Sequence, residues 1–403
     1  MAAHEDTILK ALRDADRGRR NLNSLATHLG GQAHDLFGPI ARLLPRAADP
    51  DMALNNLERL LAKPDARAHL PQLLDHRARE LDATLQLLAT SQFFADTLAC
   101  YPEFLQTVFH IPRRNPTTAE LIAQLKSEVD AAADDSGVLR AFRRFRDRHT
   151  LRIGIGDVIR DRPLEEITRE LARLADSSIE VALQHAMRTI GTRFGQPTTP
   201  ANKPAKLTAL AFGKLGGDEL NYSSDIDLMF VYDQDGETGR RAGVSNAEFF
   251  GRVVSEVVRL LSSHTDRGQA YRIDLRLRPE GNRGPLARSL ASTLSYYDTM
   301  GRTWERQSLI KLRHVGGDPA LARDFLRAVE PFIYRKYFSF SEINEVKALK
   351  RQMEAKAQKA QATDADFPRD VKTGRGGIRD IEYTVQFLQL LNGGDLPAVR
   401  QRN

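Results

Sequence analysis

Two aspartates, Asp225 and Asp227, are separated by one residue at the start of a predicted strand over residues 227–232. Side chains two residues apart in a strand point to the same face, so both carboxylates project together while Ile226 enters the opposite face. Carboxylates held this close repel each other unless a cation lies between them. Magnesium prefers hard oxygen ligands and usually takes one or two carboxylates together with substrate phosphates. The spacing therefore indicates a magnesium-phosphate site.

A later segment, residues 271–278, supplies a third carboxylate among arginines. It alternates apolar and charged residues, which predicts a strand with Asp274, Arg276 and Arg278 on one face. We interpret Asp274 as a third metal ligand and Arg276 or Arg278 as phosphate clamps, because guanidinium groups bind phosphate through paired hydrogen bonds. Two ions about 3.5–4 Å apart would activate the attacking oxygen and stabilise the leaving one in an in-line displacement.

A glycine-rich turn over residues 213–217 joins a first predicted strand, 207–212, to the aspartate pair. Alone this turn is weak evidence, since it lacks the residue order of a P-loop and of a dinucleotide-binding fingerprint. A lone Asp-x-Asp pair is itself most often a solvated strand edge or a turn. The glycine turn, the Ser223-Ser224 lead-in and the later strand aspartate together favour the metal site over that alternative.

The elements that must position these residues fall into three regions. Three prolines within residues 195–206 predict a linker, after which strands interleave with a helix capped at Ser245. The sequence on either side of this part has the periodicity of helices. We therefore predict a compact α/β or α+β catalytic core between two helical regions, with boundaries at 1–194, 195–318 and 319–403.

Composition excludes several classes of protein. The 59 basic and 53 acidic side chains leave a formal charge of +6, which permits a nucleic-acid partner without arguing for one. The single Cys100 forbids an internal disulfide, so a reducing cytoplasmic compartment is expected. The first residues lack a secretory signal, and no run approaches the ~18 apolar residues that a bilayer span needs. We expect no membrane and no nucleic-acid partner.

The order of a glycine turn, Ser-Asp-x-Asp and a later strand aspartate resembles the signature of the nucleotidyltransferase superfamily, which includes DNA polymerase beta. Four longer blocks are more particular. They resemble the bifunctional glutamine synthetase adenylyltransferase/adenylyl-removing enzymes and read GKLGGDELNYSSDIDL (213–228), LRLRPEGNRGPL (275–286), WERQSLIKLR (304–313) and GGIRDIEYTVQ (376–386). The resemblance implies an α+β, DNA polymerase beta-like nucleotidyltransferase core with a mixed sheet, flanked by helical regions in a mostly helical chain.

Members of that family carry two nucleotidyltransferase domains, of which one attaches AMP to a tyrosine of glutamine synthetase and the other removes it by phosphorolysis, releasing ADP. The resemblance implies that this chain is the N-terminal half of such a protein. Residues 297–306 look more like the adenylyl-removing copy. Asp225, Asp227 and Asp274 would then hold Mg²⁺ against the α-phosphoryl group while phosphate attacks and tyrosine leaves as a phenolate.

The resemblance also implies residues that bind nucleotide phosphates. The phosphate turn would be formed by Gly213, Lys214 and Ser224. Lys311 would face the phosphates, and Glu382 would lie near the active cleft as an added metal or nucleotide contact. Without the resemblance, Glu382 would simply pair with Arg379 on a helix surface, and the glycines over residues 374–377 would remain a candidate anion nest.

Several alternatives stay open. One alternative is that the chain attaches AMP from ATP instead of removing it. Another is that it is a small-molecule or RNA nucleotidyltransferase that uses the same three aspartates. A different class is a non-catalytic regulatory module that docks glutamine synthetase or senses the PII signal protein. The partners expected from the resemblance are glutamine synthetase as protein substrate, native or uridylylated PII as regulator, and phosphate, ADP or ATP. An arginine run over residues 143–152 would bind an acidic partner or form a solvated helix face.

Overall fold

The structure is a computed structural model that describes residues 2–75, 79–110, 114–239, 243–265, 268–337, 340–362, 371–372 and 376–403. The protein is 67% helical and contains a mixed β-sheet. The prediction of a mostly helical α+β fold is therefore confirmed.

Along the sequence, helices precede, separate and follow the strands of the sheet. The α-helices in the described ranges are α1 Ala2–Lys10, α2 Ala15–Leu29, α3 Ala33–Leu43, α4 Pro50–Leu61, α5 Pro64–Arg67, α6 Leu70–Leu74, α7 Arg79–Thr90, α8 Gln92–Cys100, α9 Leu105–Phe109, α10 Thr118–Asp130, α11 Asp135–Val158, α12 Leu164–Phe194, α13 Gly213–Gly216, α14 Asn246–Ser262, α15 Leu290–Thr299, α16 Thr303–Leu309, α17 Pro319–Ile333, α18 Phe340–Ala362 and α19 Ile378–Asn392. None of these helices combines the length and the apolar composition that crossing a membrane requires.

The strands form one five-stranded mixed sheet and one small two-stranded sheet. Their bounds are β1 Pro197–Thr198, β2 Leu207–Ala211, β3 Ile226–Tyr232, β4 Glu237–Thr238, β5 Ile273–Asp274, β6 Ala287–Ser289 and β7 Arg313–Gly317. β2 pairs antiparallel with β3 and β7, whereas β5 and β6 both pair parallel with β3. β1 pairs with β4 outside the main sheet.

Capping residues fix the starts of the helices that cover this sheet. The Ser245 hydroxyl accepts a hydrogen bond from the main-chain N of Glu248 (3.2 Å) at the start of α14. Asp318 accepts hydrogen bonds from the main-chain N of Ala320 and Leu321 at the start of α17. Each cap satisfies N–H groups that the first helical turn leaves unpaired. The capped helix predicted at Ser245 is confirmed.

The core lies on both faces of the main sheet. Alternate strand residues of β2 and β3, among them Leu210 and Met229, pack in one cluster with Phe325 of α17. On the other face Tyr232 stacks on Phe250 of α14, with ring centroids 5.1 Å apart. β2 and most of β3 are buried, so the strands predicted at 207–212 and 227–232 are confirmed as core elements.

The third predicted strand is wrong over most of its length. β5 contains only Ile273 and Asp274, and the chain then turns. The main-chain N of Arg278 donates to the carbonyl of Leu275 (3.3 Å), and the N of Gly281 donates to the carbonyl of Arg278 (2.8 Å). The alternation of apolar and charged residues over 271–278 therefore does not reflect a strand.

The chain packs as two compact units. The first comprises Met1–Thr117 with Arg143–Leu174, and the second comprises Thr118–Phe142 with Ala175–Asn403. All candidate site residues belong to the second unit. The division falls within α11 and α12, whereas the proline-rich segment over 195–206 lies inside the second unit. The three-region division of the sequence, which uses other boundaries, stays a prediction.

In the first unit, arginines of α11 form ion pairs inside the protein. Arg143 Nε lies 3.0 Å from Asp147 Oδ2, and Arg152 Nη1 lies 2.7 Å from Glu170 Oε2. The side chains of Arg143 and Arg152 are only 16% and 9% exposed. For these two arginines, the predictions of a solvated helix face and of a binding surface are both wrong, because buried carboxylates already neutralise their charges.

Candidate active site

The candidate site lies at the start of β3, where β5 runs beside it. The parallel pairing places Ile273 opposite Ile226 and Asp274 opposite Asp227. Neighbouring strands lie about 4.8 Å apart, and paired residues of parallel strands project to the same face. The register therefore puts the side chains of Asp227 and Asp274 next to each other.

The electrostatics of the two carboxyl groups differ. Burial raises the pKa of Asp227 most, and the negative charges of Asp274 and Asp225 raise it further, to about 6. For Asp274, hydrogen bonds from the Arg276 side chain hold the pKa below its usual range. Asp227 is thus a carboxyl group that gains from binding a proton or a cation near neutral pH.

The glycine turn approaches Asp227 directly. Gly213 has a φ of +56°, and a Cβ placed there would lie 2.8 Å from Asp227 Oδ2. A side chain at this position would be strained in its backbone and would also collide with the carboxylate. Glycine is therefore required for the turn to pass this close to the paired aspartates.

Two arginines bind the outer aspartates. Arg272 Nε donates a hydrogen bond to Asp225 Oδ1, and its Nη2 donates to the carbonyl of Ser223 (2.5 Å). Arg276 Nε donates to Asp274 Oδ2 (2.8 Å), and the main-chain N of Arg276 donates to Oδ1 (2.8 Å). The Arg276 side chain is 71% exposed, so it can move toward a phosphate without disturbing the fold.

The donor chemistry at this point suits magnesium. Carboxylate oxygens are hard ligands, and a divalent cation would relieve the repulsion that raises the pKa of Asp227. Within the described residues, no three acidic, histidine or cysteine side chains are already gathered as a metal requires. Asp225 and Asp274 each bond to an arginine instead. The ligand set of Asp225, Asp227 and Asp274 therefore stays a prediction.

Arg278 does not occupy the place of a phosphate clamp. Its side chain is buried and donates to three main-chain carbonyls, those of Leu275 (2.6 Å), Gly284 (3.0 Å) and Pro285 (3.1 Å). Burial also lowers the pKa of Arg278. The guanidinium ties the loop after β5 to itself, so the predicted phosphate contact is wrong for Arg278 and stays a prediction for Arg276 alone.

This difference between the two arginines can be tested. We expect Arg278→Met to lower the free energy of unfolding by about 2–4 kcal/mol, because it leaves three carbonyls without their donor. Arg276→Met should leave stability nearly unchanged, since its ion pair is exposed, but it should reduce turnover in the predicted phosphorolysis. Urea denaturation of both variants measures the contrast. Equal losses of stability would contradict these placements.

The structure brings Lys311 and Glu382 together. Lys311 Nζ donates hydrogen bonds to Glu382 Oε1 (3.1 Å) and to Glu219 Oε1. Glu382 thus pairs with Lys311 of another segment and not with its helical neighbour Arg379. Lys311 and Glu382 bind each other here, and the predicted phosphate contact of Lys311 and the predicted metal or nucleotide contact of Glu382 stay predictions. The other carboxylate that binds Lys311 is Glu219, which the sequence reasoning did not single out.

Lys214 and Ser224 flank the site in the chain. Lys214 is half-buried on α13, and its carbonyl accepts a hydrogen bond from the main-chain N of Glu219 (2.9 Å). The Ser224 hydroxyl accepts from the main-chain N of Asn221 (3.3 Å) and closes the turn before Asp225. Their phosphate contacts stay predictions. Of the candidate anion nest over 374–377, residues 374–375 lie outside the described residues.

The sequence reasoning also missed the charge of Lys372, which lies on the segment before α19. Its positive charge acts on the Asp227 carboxyl and lowers the pKa of that group against the larger effects of burial and of Asp274. The carbonyl of Lys372 accepts a hydrogen bond from the main-chain N of Arg379 (3.1 Å), on the first turn of α19. The spacing of residues along the chain gave no indication of this charge.

Trp304, the only tryptophan, is half-buried on α16. It lines a cavity of about 600 Å³ together with Gln307 and side chains of α18, including Glu345.

A protein-family model covers the part of the chain that contains the candidate site. A family model described as glutamate-ammonia ligase adenylyltransferase matches residues 81–328, which contain the glycine turn and all three aspartates. The chain belongs to this family. A second model, GlnD PII-uridylyltransferase, matches residues 344–401, which contain α19 and most of α18.

Curated relatives carry the name bifunctional glutamine synthetase adenylyltransferase/adenylyl-removing enzyme. The relative from Hahella chejuensis is 37% identical over 324 residues, which cover 79% of this chain and 33% of that protein. The relative from Pseudomonas aeruginosa is 36% identical over 366 residues, which cover 90% of this chain and 36% of that protein. A third, from Thioalkalivibrio sulfidiphilus, is 34% identical over 368 residues. The chain thus spans about a third of the length of these relatives.

Proposed function

We propose that this chain removes AMP from an adenylylated tyrosine of glutamine synthetase by magnesium-dependent phosphorolysis and releases ADP. The observation that carries the proposal is the register of β3 and β5, which pairs Asp227 with Asp274 in a chain of the glutamate-ammonia ligase adenylyltransferase family. The glycine turn reaches the same carboxylate at Gly213. Carboxylates beside a glycine turn suit a phosphoryl group and its counter-ion.

The residues of the chain position the reaction and do not supply a nucleophile. Asp227 and Asp274, with Asp225, would hold Mg²⁺, which supplies charge neutralisation at the phosphoryl oxygens. Arg276 would leave Asp274 for the entering phosphate. An oxygen of inorganic phosphate forms a bond to the α-phosphorus while the bond from that phosphorus to the tyrosine oxygen breaks. Tyrosine leaves as a phenolate, whose pKa is about 10, and then takes a proton.

One assay tests the proposal. The chain is incubated with adenylylated glutamine synthetase, MgCl₂ and inorganic phosphate, and the released nucleotide is identified by chromatography. We expect ADP in an amount equal to the tyrosines freed, and no release when EDTA replaces MgCl₂.

Other outcomes assign the alternatives. Consumption of ATP with transfer of AMP to unmodified synthetase would overturn the proposal in favour of the attaching activity. Binding of glutamine synthetase or of PII without any nucleotide turnover would favour a regulatory module. The match of residues 344–401 to the GlnD PII-uridylyltransferase model supports including native and uridylylated PII in the assay as regulators.

A further inference from the structure

A largely buried arginine at the start of β7 contacts the glycine turn. In the antiparallel pairing of β2 with β7, Arg313 lies opposite Ala211, the last residue of β2. The turn begins two residues later, and Arg313 Nη2 donates a hydrogen bond to the carbonyl of Leu215 (2.8 Å) within it. The sheet register therefore brings this guanidinium group to the main chain of the turn.

Asp176 on α12 holds the guanidinium group in place. Its Oδ2 accepts a hydrogen bond from Arg313 Nη1 (2.7 Å), and its Oδ1 accepts one from Nη2 (3.0 Å). The side chains of Arg313 and Asp176 are only 18% and 13% exposed. Two parallel hydrogen bonds fix the direction of a guanidinium group as well as neutralising its charge. Asp176 thus directs Nη2 toward the Leu215 carbonyl.

The same helix also binds the other end of β7. One turn after Asp176 on α12, the Glu180 Oε2 accepts a hydrogen bond from the main-chain N of Gly317 (2.7 Å). Residues four apart lie on one face of a helix. One face of α12 therefore anchors both the Arg313 side chain and the strand that carries it.

The glycine turn packs closely between this strand and the paired aspartates. A Cβ placed at Gly216 would come within 2.1 Å of the carbonyl oxygen of Lys311, two residues before Arg313. At the other end of the turn, a Cβ placed at Gly213 would lie 2.8 Å from Asp227 Oδ2. A path of contacts therefore runs from α12 through Arg313 and the turn to Asp227.

We infer that Arg313, oriented by Asp176, is a positioning residue that fixes the glycine turn against Asp227. The inference rests on the proposed function in so far as the turn serves phosphoryl transfer at the paired aspartates. In this role Arg313 acts through the Leu215 carbonyl. A displacement of about 1 Å at a reacting site can lower a rate roughly 10²-fold. Release of the turn from Arg313 should therefore slow turnover while the sheet stays folded.

The first experiment measures hydrogen exchange in Arg313→Lys. The amides of residues 216–219 donate to main-chain carbonyls of residues 212–215, so they report on the turn. A lysine ammonium keeps a charge for Asp176 but lacks the planar fork that also reaches Leu215. Exchange of these amides should become about tenfold faster, because a charge-assisted hydrogen bond is lost, while exchange in β2 and β3 stays slow.

Two further variants complete this experiment. Arg143→Lys changes a similarly buried ion pair on α11 and should leave exchange over residues 216–219 unaltered. Asp176→Asn keeps Arg313 but removes the charge that orients it. This variant should show the same local increase at a smaller size, and it provides the test if Arg313→Lys does not fold.

The second experiment measures ADP release from adenylylated glutamine synthetase. Arg313→Lys should lower kcat about tenfold, and Arg143→Lys should leave it unchanged. In the Gly213→Ala background the turn is already displaced from Asp227. There Arg313→Lys should lower kcat by less than about twofold more, because both substitutions act through the position of the turn. A role in stability alone would make the two losses multiply in full.

Two results would overturn the inference. One is exchange over residues 216–219 that is unaltered, or that rises only together with exchange in β2 and β3. The other is full multiplication of the losses in kcat from Arg313→Lys and Gly213→Ala. Hydrogen exchange needs no substrate, so failure of the proposed function is seen separately. If the unaltered chain released no ADP, the proposed function would fail, and exchange would decide whether Arg313 fixes the turn.

Discussion

Asp227→Asn is expected to abolish ADP release and at the same time to stabilise the protein at pH 7. Loss of a metal-binding carboxylate should reduce turnover by about 10³-fold or more. The stability gain follows from burial and from the charges of Asp274 and Asp225, which raise the pKa of Asp227 from 3.8 to about 6. A neutral amide removes that repulsion and should add about 2–3 kcal/mol to the free energy of unfolding.

The sign of the pH dependence follows from proton binding. Between pH 3.8 and about 6 the folded Asp227 binds more protons than the unfolded one, so its contribution to stability falls as pH rises through this window. The gain from Asp227→Asn should therefore be full at pH 7 and small at pH 4. Thermal unfolding in EDTA at the two pH values measures it.

Asp225→Asn is the matched control. Asp225 is 52% exposed and paired with Arg272, so its replacement should reduce turnover with little change in stability. Two results would contradict a raised pKa of Asp227 in the folded protein. One is a lower stability of Asp227→Asn at pH 7, and the other is a gain in stability that is as large at pH 4 as at pH 7.

The second large effect is expected for Gly213→Ala. The positive φ disfavours alanine by about 1–2 kcal/mol, and the new Cβ would lie 2.8 Å from Asp227 Oδ2. We expect a total loss of about 2–4 kcal/mol in stability. A shift of the carboxylate by about 1 Å should also lower turnover roughly 10²-fold. Chemical denaturation and initial rates of ADP release measure the two effects.

Gly251→Ala controls for the substitution itself. Gly251 lies within α14, and among the residues that the structure describes a Cβ placed there would meet no heavy atom within 4 Å outside its own helix backbone and chain neighbours. Alanine there should stabilise the helix by about 0.5–1 kcal/mol without a change in rate. If Gly213→Ala changed neither the rate nor the stability for the worse, as expected for Gly251→Ala, the close approach of the turn to Asp227 would not matter for function.

The strands that carry the aspartates could be predicted from the sequence because their signals are local. The strands at 207–212 and 227–232 are mostly apolar runs, and the one-residue spacing of Asp225 and Asp227 follows strand geometry. The pairing of Asp227 with Asp274 could not be predicted, because the register of parallel strands distant in sequence is set by hydrogen bonding across the sheet.

The errors share one physical cause. The alternation around Arg278 fits a strand in composition, but hydrogen bonds from its side chain to three carbonyls close a turn that no periodicity reveals. Likewise the pairing of Lys311 with Glu382 depends on how α19 docks. Long-range packing decides these contacts, and residue types alone do not specify it.

The shortness of β5 limits how the site can change over evolutionary time. Its two residues contribute one side chain to each face of the sheet. Loss or gain of a single residue beside Asp274 would send its carboxylate to the opposite face and replace it with an apolar side chain. The longer connection between β3 and β5 carries no such constraint. Drift in length should therefore accumulate in that connection, while the few residues around Asp274 keep their spacing.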